Sequence, residues 1–458
     1  MFKKLTDTRL KKIIVALAAV YAISLLLFLF IRYRSYSKLK VGTNVPARVL
    51  VGGKSGNSGE EFVVSPGRVS VLARAAGYCD AAATIKLERR ATRTVRLNLA
   101  QVPVPVSVPG GEYCAYPAFN AASGLLYWLG CRGSSFVSMD PTGNERILND
   151  KRLAQITSVI WSPDGSTAII RVEPEGDVLS SLGSPLASSS PSSFIYRAAE
   201  NRFYPIGVDY ASGASFDESG KLVFYGGMEG KKSVLFISPA DSIDPSTGGV
   251  DTGKAAKIVL KAELMFPYTW ASPDGSKVAF TPTPTEDMSA CDLFFMDFGR
   301  KISRALTDGG NVYCCLWSPD SRYLVFESRD PISQVPRLLA YDTRALKLTP
   351  LSLYTYVQKA AFYSSRTLLA GVPLNVEAAL SSGDTTTPDS LVYCSAATGA
   401  RATILSAEEG SQEHFTYPVI SSDRSTLYYA GALFLKKLDL SGLKRSIKDF
   451  EGGGGDQP

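Results

Sequence analysis

A short hairpin pattern recurs along this chain and restricts what it can fold into. The clearest copy covers residues 156–172, where Ser162-Pro163-Asp164-Gly165 separates two apolar runs. Proline presets φ at the second turn position, aspartate bonds to the local backbone, and glycine accepts the left-handed conformation that follows. Two apolar runs joined by such a turn predict a β-hairpin that is buried on at least one face.

Six further copies of this hairpin are present, and the copies that begin at Trp270 and Trp317 repeat it closely. The seven turns are centred near residues 123, 164, 219, 274, 320, 365 and 423. A period of about 50 residues, with about four short strands in each, predicts a β-propeller of seven blades, with six or eight as alternatives. Each sheet must then stack on its neighbours around a ring, since it cannot bury both faces alone. A β-sandwich with unrelated turns is the competing interpretation.

The repeated motif carries a family resemblance. Trp-Ser-Pro-Asp-Gly, followed by an apolar-Ala-Phe strand, resembles the repeat of TolB-type and related WD-like propellers. The resemblance extends over residues 110–445 and rests on three strong and four degenerate copies. It implies a propeller fold. It does not separate function classes, because propellers with this repeat include envelope scaffolds and the propeller halves of prolyl-oligopeptidase-type enzymes.

The N-terminal segment predicts a membrane anchor. Residues 13–31 contain no charged side chain and are flanked by Lys and Arg residues on both sides. At 1.5 Å per residue, such a helix is long enough to cross the hydrocarbon core of a bilayer. A cleaved signal peptide is the alternative, because Ala16-Leu17-Ala18 resembles a cleavage site. The strongest apolar run lies beyond those alanines, so an uncleaved anchor is favoured, with a cytoplasmic N-terminus and an extracytoplasmic remainder.

The net charge is concentrated in the anchor. Residues 1–40 hold nine of the 49 Lys and Arg residues and one of the 43 acids, which leaves 40 basic and 42 acidic groups in the remainder. This balance gives no sign of a nucleic-acid-binding surface. The N-terminal segment is predicted to contact lipid. Nucleic acid is not predicted as a partner of any segment of the chain.

Residues 41–100 predict a separate small unit. Alternation of apolar and polar residues, as in residues 68–73, indicates strands. A set of turn residues, followed by a short apolar ending, recurs in a characteristic order: Pro46, Gly53, Pro66, Gly67, Gly77, Tyr78, Leu97, Asn98 and Leu99. In this order the segment resembles the PEGA domain, although the Glu and Ala that give that family its name are absent. The resemblance implies a compact extracytoplasmic β-sandwich that acts as a spacer or envelope-binding module.

A basic run follows in the same unit. Its side chains either face acidic wall polymer or lipid headgroups, or are solvated positions on strands, and the second interpretation is favoured. The run comprises Lys86, Arg89, Arg90, Arg93 and Arg96.

The chain therefore divides into six predicted segments. They are a cytoplasmic tail (1–12), a transmembrane helix (13–31), the PEGA-like sandwich (41–100), a Pro-rich linker (101–109), the propeller (110–450) and a disordered Gly-rich tail (451–458). The linker is also suited to donate an edge strand to the ring, because proline is tolerated at sheet edges. Three long stretches, near residues 173–193, 241–254 and 373–389, account for the wider intervals between repeats.

Catalytic and metal-binding motifs are not recognisable in the sequence. The single histidine, His414, is predicted to lie on the surface without a role, and no Gly-x-Ser-x-Gly nucleophile motif accompanies it. Cys314 and Cys315 are adjacent, which suits neither a metal knuckle nor a redox pair. The aspartates of the Ser-Pro-Asp turns are predicted to be structural. We therefore expect no cofactor and no metal site.

One cysteine pair is a candidate disulfide. Cys114 and Cys131 are equidistant from the first hairpin turn, so they would face each other across its strands. Oxidation outside the membrane would join them. Two buried free thiols are the equally weighted alternative, and the odd total of seven cysteines leaves at least one unpaired within the chain.

Two functions remain at this point. The favoured one is a non-enzymatic, membrane-anchored scaffold or binding protein of the cell envelope, whose propeller presents a face to a protein or polysaccharide. The alternative is a lyase or glycosidase with carboxylates on the inner strands at the central channel. Converging carboxylates at the channel would favour the enzyme, and an apolar or mixed channel would favour binding.

Overall fold

A computed structural model gives the three-dimensional structure. It describes residues 15, 17–25, 36–112, 115–120, 123–129, 136–140, 143–149, 156–162, 166–172, 192–206, 214–229, 232–242, 256–259, 264–284, 292–307, 312, 314–329, 335–376, 388–407, 413–431 and 434–452. The chain forms two compact units. The first contains Met1–Gln101 and Arg445–Pro458, and the second contains Val102–Lys444.

The first unit contains two antiparallel or mixed sheets built from seven strands. The strands are β1 (Ser37–Thr43), β2 (Arg48–Val51), β3 (Lys54–Asn57), β4 (Glu61–Val64), β5 (Gly67–Arg74), β6 (Ala81–Leu87) and β7 (Thr92–Leu97). Their orders are β4-β1-β7 and β3-β2-β5-β6. Buried side chains of both sheets, such as Leu39 and Val71, share one apolar core, so this unit is a small β-sandwich. Its assignment to the PEGA family stays a prediction.

A C-terminal helix, α1 (Lys444–Gly452), contributes to the first unit. The Ser446 hydroxyl donates a 2.6 Å hydrogen bond to the carbonyl of Asn98. Ile447 and Phe450, three positions apart on one helix face, are both buried. The sequence analysis placed residues up to 450 in the propeller. The structure instead assigns the chain from Arg445 onward to the first unit, because a helix of about two turns gives too weak a periodic pattern to be separated from the preceding strands.

The second unit contains seven four-stranded antiparallel sheets within the described residues. Sheet 1 contains β9 (Ala115–Phe119), β10 (Leu126–Leu129), β11 (Phe136–Met139) and β12 (Glu145–Asn149). Sheet 2 contains β13 (Ile156–Trp161), β14 (Thr167–Val172), β15 (Ser192–Arg197) and β16 (Arg202–Pro205). Sheet 3 contains β17 (Ala214–Phe216), β18 (Leu222–Glu229), β19 (Lys232–Pro239) and β20 (Ala256–Val259). Sheet 4 contains β21 (Leu264–Ala271), β22 (Lys277–Pro284), β23 (Phe294–Asp297) and β24 (Ile302–Ala305). Sheet 5 contains β25 (Cys315–Trp317), β26 (Tyr323–Arg329), β27 (Pro336–Asp342) and β28 (Lys347–Pro350). Sheet 6 contains β29 (Ala360–Phe362), β30 (Thr367–Pro373), β31 (Asp389–Ser395) and β32 (Arg401–Leu405), preceded by a 3₁₀ turn (Val357–Lys359).

Sheet 7 closes the ring with strands from both ends of the unit. Its order is β33 (Thr416–Ile420), β34 (Thr426–Ala430), β35 (Phe434–Asp439) and then β8 (Val106–Glu112). The pairing of β35 with β8 confirms the expectation that the Pro-rich stretch donates an edge strand. A short 3₁₀ turn (Ser441–Leu443) follows β35.

Apolar clusters connect sheet 7 to sheet 1 and each following sheet to the next as far as sheet 6, and the ring closes where β29 of sheet 6 contacts β33 of sheet 7. Six clusters each contain side chains from two neighbouring sheets, and one of them joins sheet 7 to sheet 1 through Leu435 and Trp128. Sheets 4 and 5 are further linked by Trp317, whose Nε1 donates a 2.9 Å hydrogen bond to the carbonyl of Trp270. Sheets whose two faces both pack on neighbours in a closed series form a β-propeller. The seven sheets match the seven turn copies of the sequence.

The predicted membrane helix, residues 13–31, is described only at residues 15 and 17–25. Residues 17–25 are helical. Among the residues that the structure covers, no helix combines the length and the apolarity needed to cross a bilayer. Three further predictions fall on undescribed residues: the Cys114–Cys131 disulfide, most of the three long stretches, and the Gly-rich tail beyond residue 452.

Ring closure depends on a close backbone approach at Gly111. A Cβ atom at this position would lie 2.6 Å from Leu435 Cβ and 3.2 Å from the Val108 carbonyl oxygen. We expect Gly111→Ala to destabilise the propeller by about 1–3 kcal/mol, because neither neighbour is a flexible side-chain end. Thermal unfolding measures the change. Gly299→Ala is the matched control, because the nearest atom to its Cβ would lie at an ordinary 3.6 Å. Equal unfolding temperatures for the two variants would contradict the proposed closure.

Candidate functional site

The two rims of the ring have different roles. The turns between the first and second strands lie together on one rim, here called the turn rim. Glu218 N donates to the Pro273 carbonyl at 2.7 Å, and the Ser321 hydroxyl lies 3.0 Å from Asp274 N, so these turns contact one another from sheet to sheet. The rim at which the first strands begin is called the start rim.

The turn rim is built from serine and aspartate. Ser272 Oγ accepts a hydrogen bond from Lys277 N at 2.9 Å and donates to Asp274 Oδ1 at 2.6 Å. Burial disfavours the ionised form of Asp274, but hydrogen bonds from Ser272 and Ser276 outweigh it and hold its pKa below the ordinary value. The Ser318–Asp320 and Ser421–Asp423 hydrogen bonds, both 2.7 Å, repeat this arrangement. These aspartates are therefore structural, as the sequence predicts, while Asp164 lies outside the described residues.

The described residues of the inner strands carry no carboxylate and no basic side chain. The first strands of the seven sheets are β9, β13, β17, β21, β25, β29 and β33, and the described residues of these strands include no Asp, Glu, Lys, Arg or His. They contain instead Tyr, Phe, Trp, Ala, Val, Ile, Leu, Met, Thr, Ser, Pro and Cys. The enzyme alternative requires carboxylates at these positions. The described strands do not supply them.

A tyrosine pair lies where the ring closes, at the start rim. Tyr116 and Tyr417 are each the second residue of their inner strand, in sheets 1 and 7. Their ring centroids are 4.6 Å apart, at an interplanar angle of 43°. Both side chains are half-buried. Burial first, and then the interaction of the two hydroxyls, raises the pKa of Tyr116 above the ordinary value.

Both tyrosines have a strained backbone. Their φ angles are 50° and 49°, in the left-handed region that bulky residues rarely adopt. Both strands show a register shift beside them, and in each strand the next residue is proline, which has no N–H to donate. Such strain persists only where the surrounding structure imposes it, and it is concentrated at functional sites. The sequence analysis missed this pair. The shared Tyr-Pro dipeptide of the two inner strands is the signal that would have found it.

Glu327 is the most perturbed carboxyl of this rim. It lies near the end of β26, and its Oε2 accepts a 3.3 Å hydrogen bond from Val357 N at the start of sheet 6. Burial raises the pKa of Glu327 to about 7, while the Val357 N–H and Arg329 oppose the shift. Tyr356, Cys314 and Cys315 interact with it electrostatically. Nothing in the local sequence distinguishes this glutamate, because its burial depends on the neighbouring sheet.

The adjacent cysteines point into different interfaces. Cys315 belongs to the apolar cluster between sheets 4 and 5, and Cys314 packs on the cluster between sheets 5 and 6. The two thiols therefore lie on opposite faces of sheet 5. Burial raises the pKa of Cys314 to about 12, so this thiol has little thiolate character. Among the described cysteines, Cys79, Cys314, Cys315 and Cys394 are free thiols.

A fully buried ion pair lies within sheet 6, beside the chain that enters sheet 7. Lys359 Nζ lies 2.8 and 2.9 Å from the two carboxylate oxygens of Asp389, and both side chains are 0% exposed. Asp389 Oδ2 also accepts a 3.0 Å hydrogen bond from Phe415 N, just before sheet 7. Burial raises the pKa of Asp389, with Lys359 opposing the shift. The three groups fix the start of the closing sheet against its neighbour.

His414 is buried, which corrects the expectation of a surface residue. Its side chain is 6% exposed and interacts electrostatically with Asp389. The preceding residue, Glu413, accepts hydrogen bonds from Tyr429, at 2.9 Å, and from Lys436. The loop-like sequence around His414 suggested exposure, but the adjacent ion pair draws this segment into the ring. In the described part of the chain, no three His, Cys, Asp or Glu side chains are grouped as metal ligands.

Comparisons with known proteins do not assign the chain to a family. No family model matches the chain, and no curated protein is recognisably similar to it. Among solved structures, TolB from Acinetobacter baumannii is 14% identical with a TM-score of 0.39, and the match covers 68% of this chain and 66% of that one. Hydrazine synthase from Kuenenia stuttgartiensis is 14% identical (TM-score 0.45; 74% and 97% covered). The Swd1 β-propeller domain of Myceliophteria thermophila is also 14% identical (TM-score 0.47; 73% and 98% covered). These likenesses include an enzyme and do not discriminate between functions.

The buried ion pair gives a test of how sheet 7 is held. We expect Lys359→Met to destabilise the propeller by about 3–5 kcal/mol, because Asp389 is left buried without its counter-charge. The double variant Lys359→Met with Asp389→Leu should be less destabilised than either single variant. Urea unfolding of the four proteins measures this coupling. Lys277→Met, which breaks the more exposed pair with Asp274, is the control and should cost at most about 1 kcal/mol. A similar loss in Lys359→Met and the control would contradict the role of the pair.

Glu327 predicts a pH dependence of stability. Its pKa is raised in the folded chain, from 4.5 to about 7, so the folded state binds this proton more tightly than the unfolded state. The resulting stabilisation is complete below pH 4.5 and is lost as the pH rises through about 7. It amounts to at most about 3 kcal/mol. We expect Glu327→Gln to flatten this part of the profile in urea unfolding between pH 4.5 and 8, whereas Glu145→Gln, on an exposed outer strand, should leave it unchanged. A Glu327→Gln variant that keeps the full slope would contradict the assignment.

Proposed function

We propose that this chain is a membrane-anchored, extracytoplasmic binding protein of the cell envelope, and that the start rim of its propeller binds an envelope protein or polysaccharide. The observation that carries the proposal is the half-buried Tyr116–Tyr417 pair, which is held in a left-handed backbone conformation at the ring closure. The proposal requires no cofactor and no metal.

Tyrosine side chains suit a binding surface of this kind. Each offers a large apolar ring and a hydroxyl for hydrogen bonding, with little conformational entropy to lose. The strained backbone orients both rings before a partner arrives, which reduces the free-energy cost of association. Thr416 and Ala115, which precede the two tyrosines, are also half-buried, so an occupant of the channel mouth would contact a mixed polar and apolar surface.

The described inner strands support binding over catalysis. A lyase or glycosidase acting through paired carboxyl groups needs two of them at one cavity. Glu327 is a single carboxyl, on a second strand, and Asp389 is bound by Lys359 and Phe415. Glu327 and Asp389 therefore do not form such a pair of catalytic carboxyl groups.

The envelope location rests on the sequence. Residues 13–31 are uncharged and flanked by basic residues, and we infer that they hold the chain in the bilayer with a cytoplasmic N-terminus. The sandwich of the first unit would then follow the membrane directly, in the position of a spacer.

Site-specific photo-cross-linking in intact cells tests the proposal. A photoreactive residue at position 417 of the full chain should give an adduct with one envelope macromolecule. The same residue at position 422, an exposed site on the turn rim of the same sheet, should not. Tyr116→Ala should reduce the adduct at 417 by about tenfold or more, as expected for truncation of a central aromatic contact.

Two outcomes contradict the proposal in different ways. Equal adducts at 417 and 422 would show that the start rim is not a specific surface. Protease added to the same intact cells should remove the propeller, and full protection would show that it lies on the cytoplasmic side.

A further inference from the structure

The first unit gathers basic side chains beside the point where the chain leaves the predicted membrane helix. The turn between β6 and β7 contains Arg89 and Arg90, and it packs on the first residues of β1. Ser37 Oγ donates a 2.5 Å hydrogen bond to the Glu88 carbonyl, and Lys38 N donates to the Ala91 carbonyl at 2.8 Å. Two arginines about fifty residues further along the chain are thereby brought to the start of β1.

The outward side of the adjacent sheet continues this basic surface. In β1, Lys38 and Lys40 are exposed, while Leu39 and Val41 between and after them are buried in the core. β7 runs parallel to β1 in a register that pairs Lys38 with Thr92, Lys40 with Thr94 and Gly42 with Arg96. All of these β7 residues are exposed. Lysines, threonines and an arginine therefore share one face.

Acidic groups only partly offset this charge. We call the set Lys38, Lys40, Arg89, Arg90 and Arg96 the basic face. Glu61, on β4, forms a 2.7 Å ion pair with Lys38, and Glu88 lies in the turn. The exposed residues of this region thus include five cations and two carboxylates. Val63, paired with Lys38 in the register of β4, is an exposed apolar side chain in the same face.

We propose that the basic face lies on the anionic headgroups of the bilayer that holds the N-terminal helix, as a second membrane contact of this chain. This inference rests on the anchored topology proposed above. Cations near an anionic bilayer are attracted within a Debye length of its surface, and hydroxyl groups can donate to phosphate oxygens. The contact would restrict the orientation of the sandwich on the membrane.

Chain connectivity favours lipid over an anionic wall polymer as the occupant. Five residues lie between Ile31, the end of the predicted helix, and Ser37, so the two residues are at most about 20 Å apart. The basic turn is hydrogen-bonded to Ser37 and Lys38 themselves, so it cannot be far from the headgroups whenever the helix is inserted. A wall polymer imposes no such proximity.

From the sequence alone, we favoured solvated positions on strands for the basic run of residues 86–96. The structure separates the side chains of this run into two parts. Arg93 is only partly exposed and donates a 3.2 Å hydrogen bond to the Lys86 carbonyl. Arg89, Arg90 and Arg96 join Lys38 and Lys40, which the run did not include. The surface is therefore assembled by strand pairing and is not contiguous in sequence.

Lysine footprinting of the full chain in vesicles tests the proposal. The protein is reconstituted in vesicles of phosphatidylcholine alone, or with added phosphatidylglycerol, and brief amine acylation is followed by mass spectrometry. We expect acylation of Lys38 and Lys40 to be slower by about fivefold or more in the anionic vesicles, the factor associated with one basic residue at such a surface. The exposed propeller lysines Lys301 and Lys437 are internal references and should not change. High salt should abolish the difference.

A charge-reversal variant and its matched control make the test specific. Arg89→Glu with Arg90→Glu should remove the lipid-dependent protection of Lys38 and Lys40. Arg344→Glu with Lys347→Glu, two exposed cations at the propeller turn that leads into β28, should retain it. Protection that is unchanged by the Arg89/Arg90 reversal would overturn the proposal.

The remaining outcomes separate the sources of failure. Equal acylation in both vesicle types, in protein that floats with the vesicles, overturns the basic face contact while the anchor stands. Protection produced by a soluble poly(glycerol phosphate), without any effect of anionic lipid, assigns the face to wall polymer and likewise overturns the proposal. Protein that fails to float with either vesicle overturns the anchor, and this inference with it.

Discussion

The second unit depends on the burial of apolar side chains between neighbouring sheets. Each four-stranded sheet has apolar residues on both faces, so no sheet can be stable by itself and each requires two neighbours. Clusters such as the one that joins Trp161 of sheet 2 to Phe136 of sheet 1 satisfy this requirement around the ring. The requirement also explains why closure is shared by both ends of the unit, because β8 completes the sheet that would otherwise end in an unpaired edge strand.

Polar interactions then differentiate the two rims. On the turn rim, serine and aspartate hydrogen-bond within their own turn and to the next turn, and the same local arrangement recurs in several sheets. On the start rim, the polar contacts differ from sheet to sheet. Glu327 contacts the 3₁₀ turn of sheet 6, and Asp389 contacts the chain entering sheet 7. A rim with irregular contacts, a buried ion pair and strained tyrosines is the better candidate for a specific surface, since the regular rim is fully explained by folding.

The first unit shows how a small domain can gain a surface that its linear sequence does not contain. Parallel pairing of β1 with β7 brings the first strand after the predicted membrane helix beside one of the last strands of the sandwich. Helix α1 adds the C-terminal segment to the same unit, through Ser446 and Asn98. The sandwich strands and this C-terminal helix thereby belong to one folded unit, although more than 300 residues of propeller lie between them in the sequence.

The sequence by itself determined the repeating hairpins and the structural role of the turn aspartates, and it favoured seven sheets over six or eight and a Pro-rich stretch suited to close the ring. These features depend on residues that are close in the chain, so turn chemistry and apolar alternation report them directly. Only the tertiary structure decided that His414 is buried, that burial raises the pKa of Glu327, that Cys314 and Cys315 face different interfaces, and that Tyr116 contacts Tyr417. Each of these depends on which sheet packs against which, and burial, desolvation and contact across a ring are properties of the assembled neighbours that a single segment cannot carry.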